Sequence, residues 1–294
     1  MSTRIADTLI DLGLATDQSI QPYFSRVRDR EDIAVLRCER SGAFVLSRDD
    51  HMDMSHYEHK TASGWGRLER QQALEQSQRD TDRRAERFGS MISSRRWLDV
   101  GTGSGGILDA LAPLAAEASS VEPQQGKREL LQQLGYKVYA DTEQIQRQDF
   151  EVVTLFHVFE HLTDPIGTLK QLRQRMQAGG QLVIEVPHAG DLLLSRLELE
   201  TFKAFTFWSE HLILHSRQTL VAFVEAAGFR VASIEGCQRY PLANHLHWLA
   251  QGKPGGHQYW PDLSDPELDR AYEKRLEQID CTDTLILIAE APKN

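Results

Sequence analysis

The chain has 294 residues, 40% of them apolar and 26% charged, enough for one large domain with insertions or two small ones. A formal net charge of -10 argues against duplex nucleic acid as the main ligand, because phosphate binding draws most of its free energy from Lys and Arg. No apolar run reaches the length of a membrane span, MSTRIADTLI lacks a signal-peptide core, and three scattered cysteines (Cys38, Cys237, Cys281) exclude a Cys-x-x-Cys zinc site and point to a reducing cytoplasm.

Residues 1–66 read as an N-terminal extension. Ile5, Leu9, Leu12 and Leu14 suggest a short helix, and IAVLRCERSGAFVLSR holds two β-prone runs split by ERSG, the pattern of a hairpin. The polar run HMDMSHYEHK follows. His51, Asp53, His56 and His59 are able to bind a metal, but the run reads better as a surface or lid segment with Tyr57 near an acceptor, and no metal site is expected. From Arg67 to Met91 the charges are dense and neither Gly nor Pro intervenes before Gly89, which predicts a solvated helix.

Residues 67–294 form the second unit. From residue 95, strands alternate with helices: RRWLDV, the turn GTGSGG, ILDALAPLAAEA, then SSVEP and GKRELLQQLG. YKVYAD is a short third strand. FEVVTLFHVF is a fourth, apolar throughout, as expected of a strand covered on both faces. The helix PIGTLKQLRQRMQ, the turn AGG and the strand QLVIEVP come next, then RQTLVAFVEAAG, FRVASIEG and the last strand TDTLILIAEAP. The repetition indicates a doubly wound, Rossmann-like α/β sheet, with an insertion at about 238–280 before its last strand.

LDVGTGSGG follows a strand and opens a helix, where backbone amides approach a ligand and glycines permit a tight turn. Asp99, at the strand end, suits a ligand bearing an ammonium group and is a poor neighbour for a pyrophosphate. Glu122 ends the next strand, placed to accept hydrogen bonds from ribose hydroxyls. This spacing alone also fits a dinucleotide, so an NAD-dependent oxidoreductase is a rival reading.

LDVGTGSG, VEP, FEVVTLFHVFEHLTDP, AGGQLVIEVP and SEHLILHSRQTLVAFVEAAGF together resemble the class I S-adenosylmethionine-dependent methyltransferases, in order and at the expected distances. The closest branch carries an EHL signature after the fourth strand. The resemblance covers about residues 94–236 plus the last strand. It implies a seven-stranded sheet with an antiparallel last strand and S-adenosylmethionine as cofactor. By position, Asp99, Gly101 and Gly103 would line the methionine end, Glu122 would hold the ribose, and Phe156 with His157 would close over the cofactor. Asp141 falls near the adenine-contacting position.

A hydroxyl acceptor gains from a base as the new bond forms, and histidine is suited near neutral pH. His161, in FEHLTDP, either holds its turn or meets the substrate. FWSEHLILHS places His211 and His215 four apart, a metal-like spacing on a helix. The SEH segment is similar to the HEH segment of sugar C-methyltransferases, in which the second histidine is the base. Glu210 and His211 match that pair, whereas Ser209 and Trp208 replace its first histidine and preceding tyrosine, and the cysteine-rich zinc domain of those enzymes has no counterpart here. The resemblance thus gives His211 the role of base and Glu210 that of its orienting partner. His215 precedes Ser216, a probable N-cap by type, and belongs to the next helix. Within the insertion, Arg239, Tyr240, Asn244, His245, His247 and Trp248 either suit a polyhydroxylated or anionic acceptor or form a structural cap. The expected reaction is methyl transfer to a small polar acceptor, a sugar, nucleotide-linked sugar or surface glycan first, with a quinone or lipid as the alternative.

Overall fold

The computed structural model describes residues 3–52 and 66–293. Asp53, His56, Tyr57 and His59 therefore lie outside the described residues. Helix α1 (Arg4–Asp11) starts at Thr3, whose hydroxyl accepts the Ala6 N–H at 3.2 Å, and it buries Ile5, Ala6 and Leu9. Three antiparallel strands follow: β1 (Ile20–Phe24), β2 (Val35–Cys38) and β3 (Phe44–Leu46). The last two are the expected hairpin. Strand β1, IQPYF, has no clean alternation and contains Pro22, so it left no sequence signal; it lies at the sheet edge, where a missing N–H is tolerated.

The charged segment forms α2 (Arg67–Ile92), 26 residues long. It is not a freely solvated helix. Thr81, Phe88, Gly89 and Ile92 are buried, and Arg83 and Arg84 reach inward to the fully buried Glu185, at 2.8 and 2.6 Å. The composition misled because the partner of those charges lies about a hundred residues downstream.

The main sheet then builds through β4 (Arg96–Val100), α3 (Gly106–Leu111), β5 (Glu117–Val121), α4 (Gln125–Gln133), β6 (Val138–Tyr139), β7 (Phe150–Phe156), α5 (Pro165–Arg175) and β8 (Met176–Pro187). The AGG turn is absorbed into β8, because Met176 already pairs with Phe150. Next come α6 (Leu192–Ser195), α7 (Glu200–Thr206), β9 (Ile213–Leu214), α8 (Arg217–Ala226) and β10 (Arg230–Cys237). The insertion is helical, with α9 (Leu242–Gln251), α10 (Gly256–Tyr259) and α11 (Pro266–Gln278), and β11 (Thr284–Glu290) ends the chain of elements.

The seven strands order as β10-β11-β8-β7-β4-β5-β6. β4 is parallel to both β5 and β7, and β11 runs antiparallel to its neighbours β8 and β10. This is the expected Rossmann-like sheet with an antiparallel last strand. The winding direction reverses at β4, so a crevice opens beyond the carboxyl ends of β4, β5 and β7. No helix among the described residues is long and apolar enough to cross a membrane.

A second sheet, ordered β1-β2-β3-β9, joins the N-terminal strands to the SEH region, because β9 pairs with β3. Phe207 anchors this joint, with ring centroids 5.5 Å from Phe44, 5.7 Å from Phe24 and 6.1 Å from Tyr23. Phe207→Ala should lower unfolding stability by about 3–5 kcal/mol through lost burial and a cavity. Chemical denaturation measures it, and a loss below about 1 kcal/mol would show that the N-terminal sheet does not depend on this joint.

Candidate active site

The turn after β4 places Gly101 at φ 75° and Gly103 at φ 58°, left-handed conformations that glycine adopts without strain. At Gly101 a side chain would also run into Val158, while the position of a Cβ on Gly103 is open. Glu122, buried at the end of β5, holds the turn from the far side. Its Oε2 accepts the Gly103 N–H at 2.7 Å and its Oε1 the Gln124 N–H at 2.9 Å. Burial raises its pKa, against the pull of these two donors. Burial likewise raises Asp99 to about 6, against the hydrogen bond from Thr154. The Thr154 hydroxyl donates to Asp99 Oδ1 at 2.6 Å and in turn accepts Trp97 Nε1–H at 2.9 Å.

A cavity of about 520 Å³ lies over this turn, lined by Gly101, Gly103, Glu122, Asp141, His157, His161, Trp208 and Glu210 among others. A smaller one of about 170 Å³ lies on the other side of Gly101, between the turn and α2, with Asp99, Arg84, Thr81 and Phe156 in its wall. The expected cofactor residues are therefore divided. Gly101 borders both spaces; Gly103, Glu122, Asp141 and His157 line the larger; Asp99 and Phe156 line the smaller. Phe156 packs on Phe88 at 5.5 Å with the Arg84 guanidinium 4.8 Å over its ring. Sequence reasoning missed Arg84, since nothing in an evenly charged helix marks which arginine turns inward.

Beyond β7 the chain turns through His157, a non-glycine residue at φ 55°, into a 3-10 turn over Phe159–His161. A left-handed conformation at such a residue is strained, and strain of this kind clusters at functional sites. Its ring bridges two buried carboxylates: Nδ1 lies 3.2 Å from Glu160 Oε1 and Nε2 lies 3.3 Å from Glu185 Oε1. Burial would raise Glu160, but the hydrogen bond from His157 and the imidazoles of His161 and His211 outweigh it and hold the carboxyl at about 2.

His161 Nδ1 lies 2.8 Å from the Glu210 carbonyl, an acceptor only, so this nitrogen carries the proton and Nε2 has the lone pair. That Nε2 is 3.9 Å from Glu160 Oε1. The His211 ring sits 5.0 Å from His161 and 5.3 Å from Trp208. Burial, with the neighbouring His161, lowers His211 to about 3, which leaves it neutral at pH 7. One donor atom each from Glu160, His161 and His211 fall within 4.8 Å of one another. The fold thus brings the Glu160 carboxylate to His211, while Glu210, lining the cavity, braces His161 through its backbone. Glu160 stood in the EHL stretch, but its burial was not readable there.

His215 is separated from this group. It is fully buried, stacked on Phe159 at 5.4 Å, with Nδ1 3.2 Å from the Thr219 hydroxyl, just ahead of the N-cap Ser216. The N-terminal extension reaches the site from the opposite side. Asp29 accepts the Ser209 N–H at 3.0 Å, His51 Nε2 bonds the Ser209 carbonyl at 2.7 Å, and the Arg28 guanidinium lies 4.5 Å over Trp208. The insertion residues are engaged by protein partners, some within the insertion and some on α2 and α7. Arg239 pairs with Asp80, Asn244 caps the backbone at Gly255, His245 meets Tyr272 at 2.7 Å, His247 bonds the Lys253 carbonyl and Trp248 packs on Phe202 and Phe205. They form the structural cap.

A doubly wound sheet with an antiparallel seventh strand, a glycine turn and a buried acid ending the second parallel strand together define a class I methyltransferase. The chain belongs to the family described as "Methyltransferase domain", which matches residues 69–234, and its methyl donor is S-adenosylmethionine. It is 27% identical over 177 residues to the ubiquinone biosynthesis O-methyltransferase of Pseudomonas syringae pv. tomato, covering 52% of this chain and 72% of that protein. Among solved structures, a possible histamine N-methyltransferase from Thermotoga maritima matches with TM-score 0.52 and 17% identity, covering 81% of this chain and all of that one (100%). A methyltransferase from Archaeoglobus fulgidus matches with TM-score 0.51 and 20% identity, covering 72% and 94%. These last two share the fold.

Proposed function

We propose that the enzyme methylates a hydroxyl group of a small polar acceptor, with His211 at the acceptor oxygen. The observation that carries this reading is the meeting of His211 and Glu160 with His161, which lines the cavity that also holds Gly103 and Glu122. The donor fits these residues. Its ribose diol would meet the Glu122 carboxylate, whose oxygens each accept one N–H and retain lone pairs, and its ammonium end would meet Asp99 near Gly101. When bound, it supplies an electrophilic methyl group on a sulfonium, so positioning contributes much of the acceleration. His211, neutral at pH 7, accepts the acceptor proton, and the nearby anionic Glu160 favours the imidazolium that results. Glu210 supports the pair by holding His161 in one tautomer and facing the cavity itself.

A sugar-like acceptor remains the first reading, supported by the histidines and Glu210 set around the Trp208 face, where hydroxyls find directional partners beside a stacking surface. The capped insertion lends it no support. A hydroxylated aromatic ring is the second reading, favoured by the likeness to a ubiquinone-pathway O-methyltransferase.

Asp99 titrates near 6, and an ammonium partner prefers its ionised form. Donor affinity should therefore weaken by up to about tenfold per pH unit below 6 and level off above it, a dependence that Asp99→Asn removes. Calorimetry between pH 5 and 8 checks this; a flat profile for the unaltered enzyme contradicts the role of Asp99. His211→Ala should slow turnover by roughly 100-fold with donor affinity nearly unchanged. Radiolabelled methyl transfer to a panel of nucleotide sugars, glycans and hydroxylated aromatics reads both the acceptor and this loss. An unaltered rate in the variant removes His211 from the chemistry.

A further inference from the structure

We propose that Glu160, His161 and His211 form a binding site for a divalent first-row transition-metal ion of the zinc class, which would hold and acidify the acceptor hydroxyl. The inference rests on the acceptor side assigned above and changes what His211 does there, from proton acceptor to ligand.

Three observations carry it. The first is proximity, since one donor atom from each residue lies within 4.8 Å of the others. Ligand atoms of a tetrahedral site with bonds of about 2.0–2.1 Å stand roughly 3.3–3.5 Å apart. His161 Nε2 stands 3.9 Å from Glu160 Oε1, the oxygen that His157 also bonds, so the carboxylate lies directly beside that imidazole. The second is unused coordinating capacity. Glu160 Oε2 and His211 Nδ1 are buried with no hydrogen-bond partner among the described residues, and a fully buried carboxylate oxygen is costly to leave so. The third is support behind the ligands. The Glu210 carbonyl fixes His161 with its lone pair on Nε2, and His157 Nδ1 braces the other oxygen of Glu160. Such outer partners orient metal-binding imidazoles and carboxylates.

One carboxylate with two imidazoles is a donor set that keeps open positions for a substrate oxygen, and imidazole favours zinc, iron or nickel over magnesium. The remaining charges nearby are compatible. Glu185 is already neutralised by Arg83 and Arg84, and Arg28 is an exposed side chain lying over Trp208. With the ion bound, the acceptor hydroxyl coordinates it and releases its proton to water. The oxygen lone pair then forms the new O–C bond as the S–C bond of the donor breaks, and that electron pair stays on sulfur.

The test uses the full chain stripped of metal and titrated with Zn²⁺, and with Co²⁺ as a visible-absorbing probe. About one ion per chain should bind, with a Co²⁺ spectrum showing nitrogen and oxygen ligands, and His161→Ala and Glu160→Gln should each weaken binding by about tenfold or more. Retained donor binding confirms that the variants fold, and the Co²⁺ spectrum of the unaltered chain needs no variant. Stoichiometric binding that survives the His161→Ala/His211→Ala double variant, or no binding by the unaltered chain, overturns the site. If the stripped enzyme works at full rate in excess chelator while His211→Ala is slow, the metal inference falls and His211 stands as the base. If the ion binds at these residues but no hydroxyl acceptor is methylated, the site stands and the proposed reaction falls.

Discussion

The site depends on one buried charge. The Glu160 carboxylate is fully removed from solvent yet held ionised, and an isolated carboxylate in that position would be neutral. His157 bonds it, and the imidazoles of His161 and His211 stand beside it. His157 comes from the strained end of β7, His161 from the next turn and His211 from the segment after β8. Burying this charge therefore fixes the end of β7, the turn after it and the segment after β8 relative to one another. His157 extends the network to Glu185, and Glu185 ties α2 to the sheet through Arg83 and Arg84. A chain of contacts thus links α2, which packs beside the glycine turn, to Glu160.

The N-terminal sheet has a place in this arrangement. Residues 207–215 make no long element of their own, and an unsupported loop would hold His211 poorly. Pairing of β9 with β3, the Phe207 cluster and the bonds from Asp29 and His51 to Ser209 give that loop the rigidity of two sheets. The extension and the methyltransferase sheet thus share the site.

Legibility in the sequence followed the range of the interactions. The alternating strands and helices, the glycine turn and the acid at Glu122 are local patterns, and each stands where its pattern placed it. Ser216 was legible as a local N-cap, whereas His215, just ahead of it, stands outside that helix and bridges to His188. Long-range pairings were not legible. Nothing near Arg84 signals Glu185, nothing in the EHL motif reveals that Glu160 is its buried centre, and the aromatic, imidazole-rich insertion resembled a binding surface although its polar groups bond to protein partners, Arg239 to Asp80 on a distant helix among them. Polar residues of one composition serve a ligand or a cap depending on partners that only folding supplies.

The central claim is that one crevice holds the donor on Glu122 and presents its reactive end to His161, which stands beside His211. A crystal structure with S-adenosylhomocysteine tests it most directly. The ribose hydroxyls should bond the Glu122 carboxylate and the sulfur should face His161 and His211 across the larger cavity. A ligand that leaves Glu122 untouched, or whose sulfur faces away from both histidines, would contradict the account.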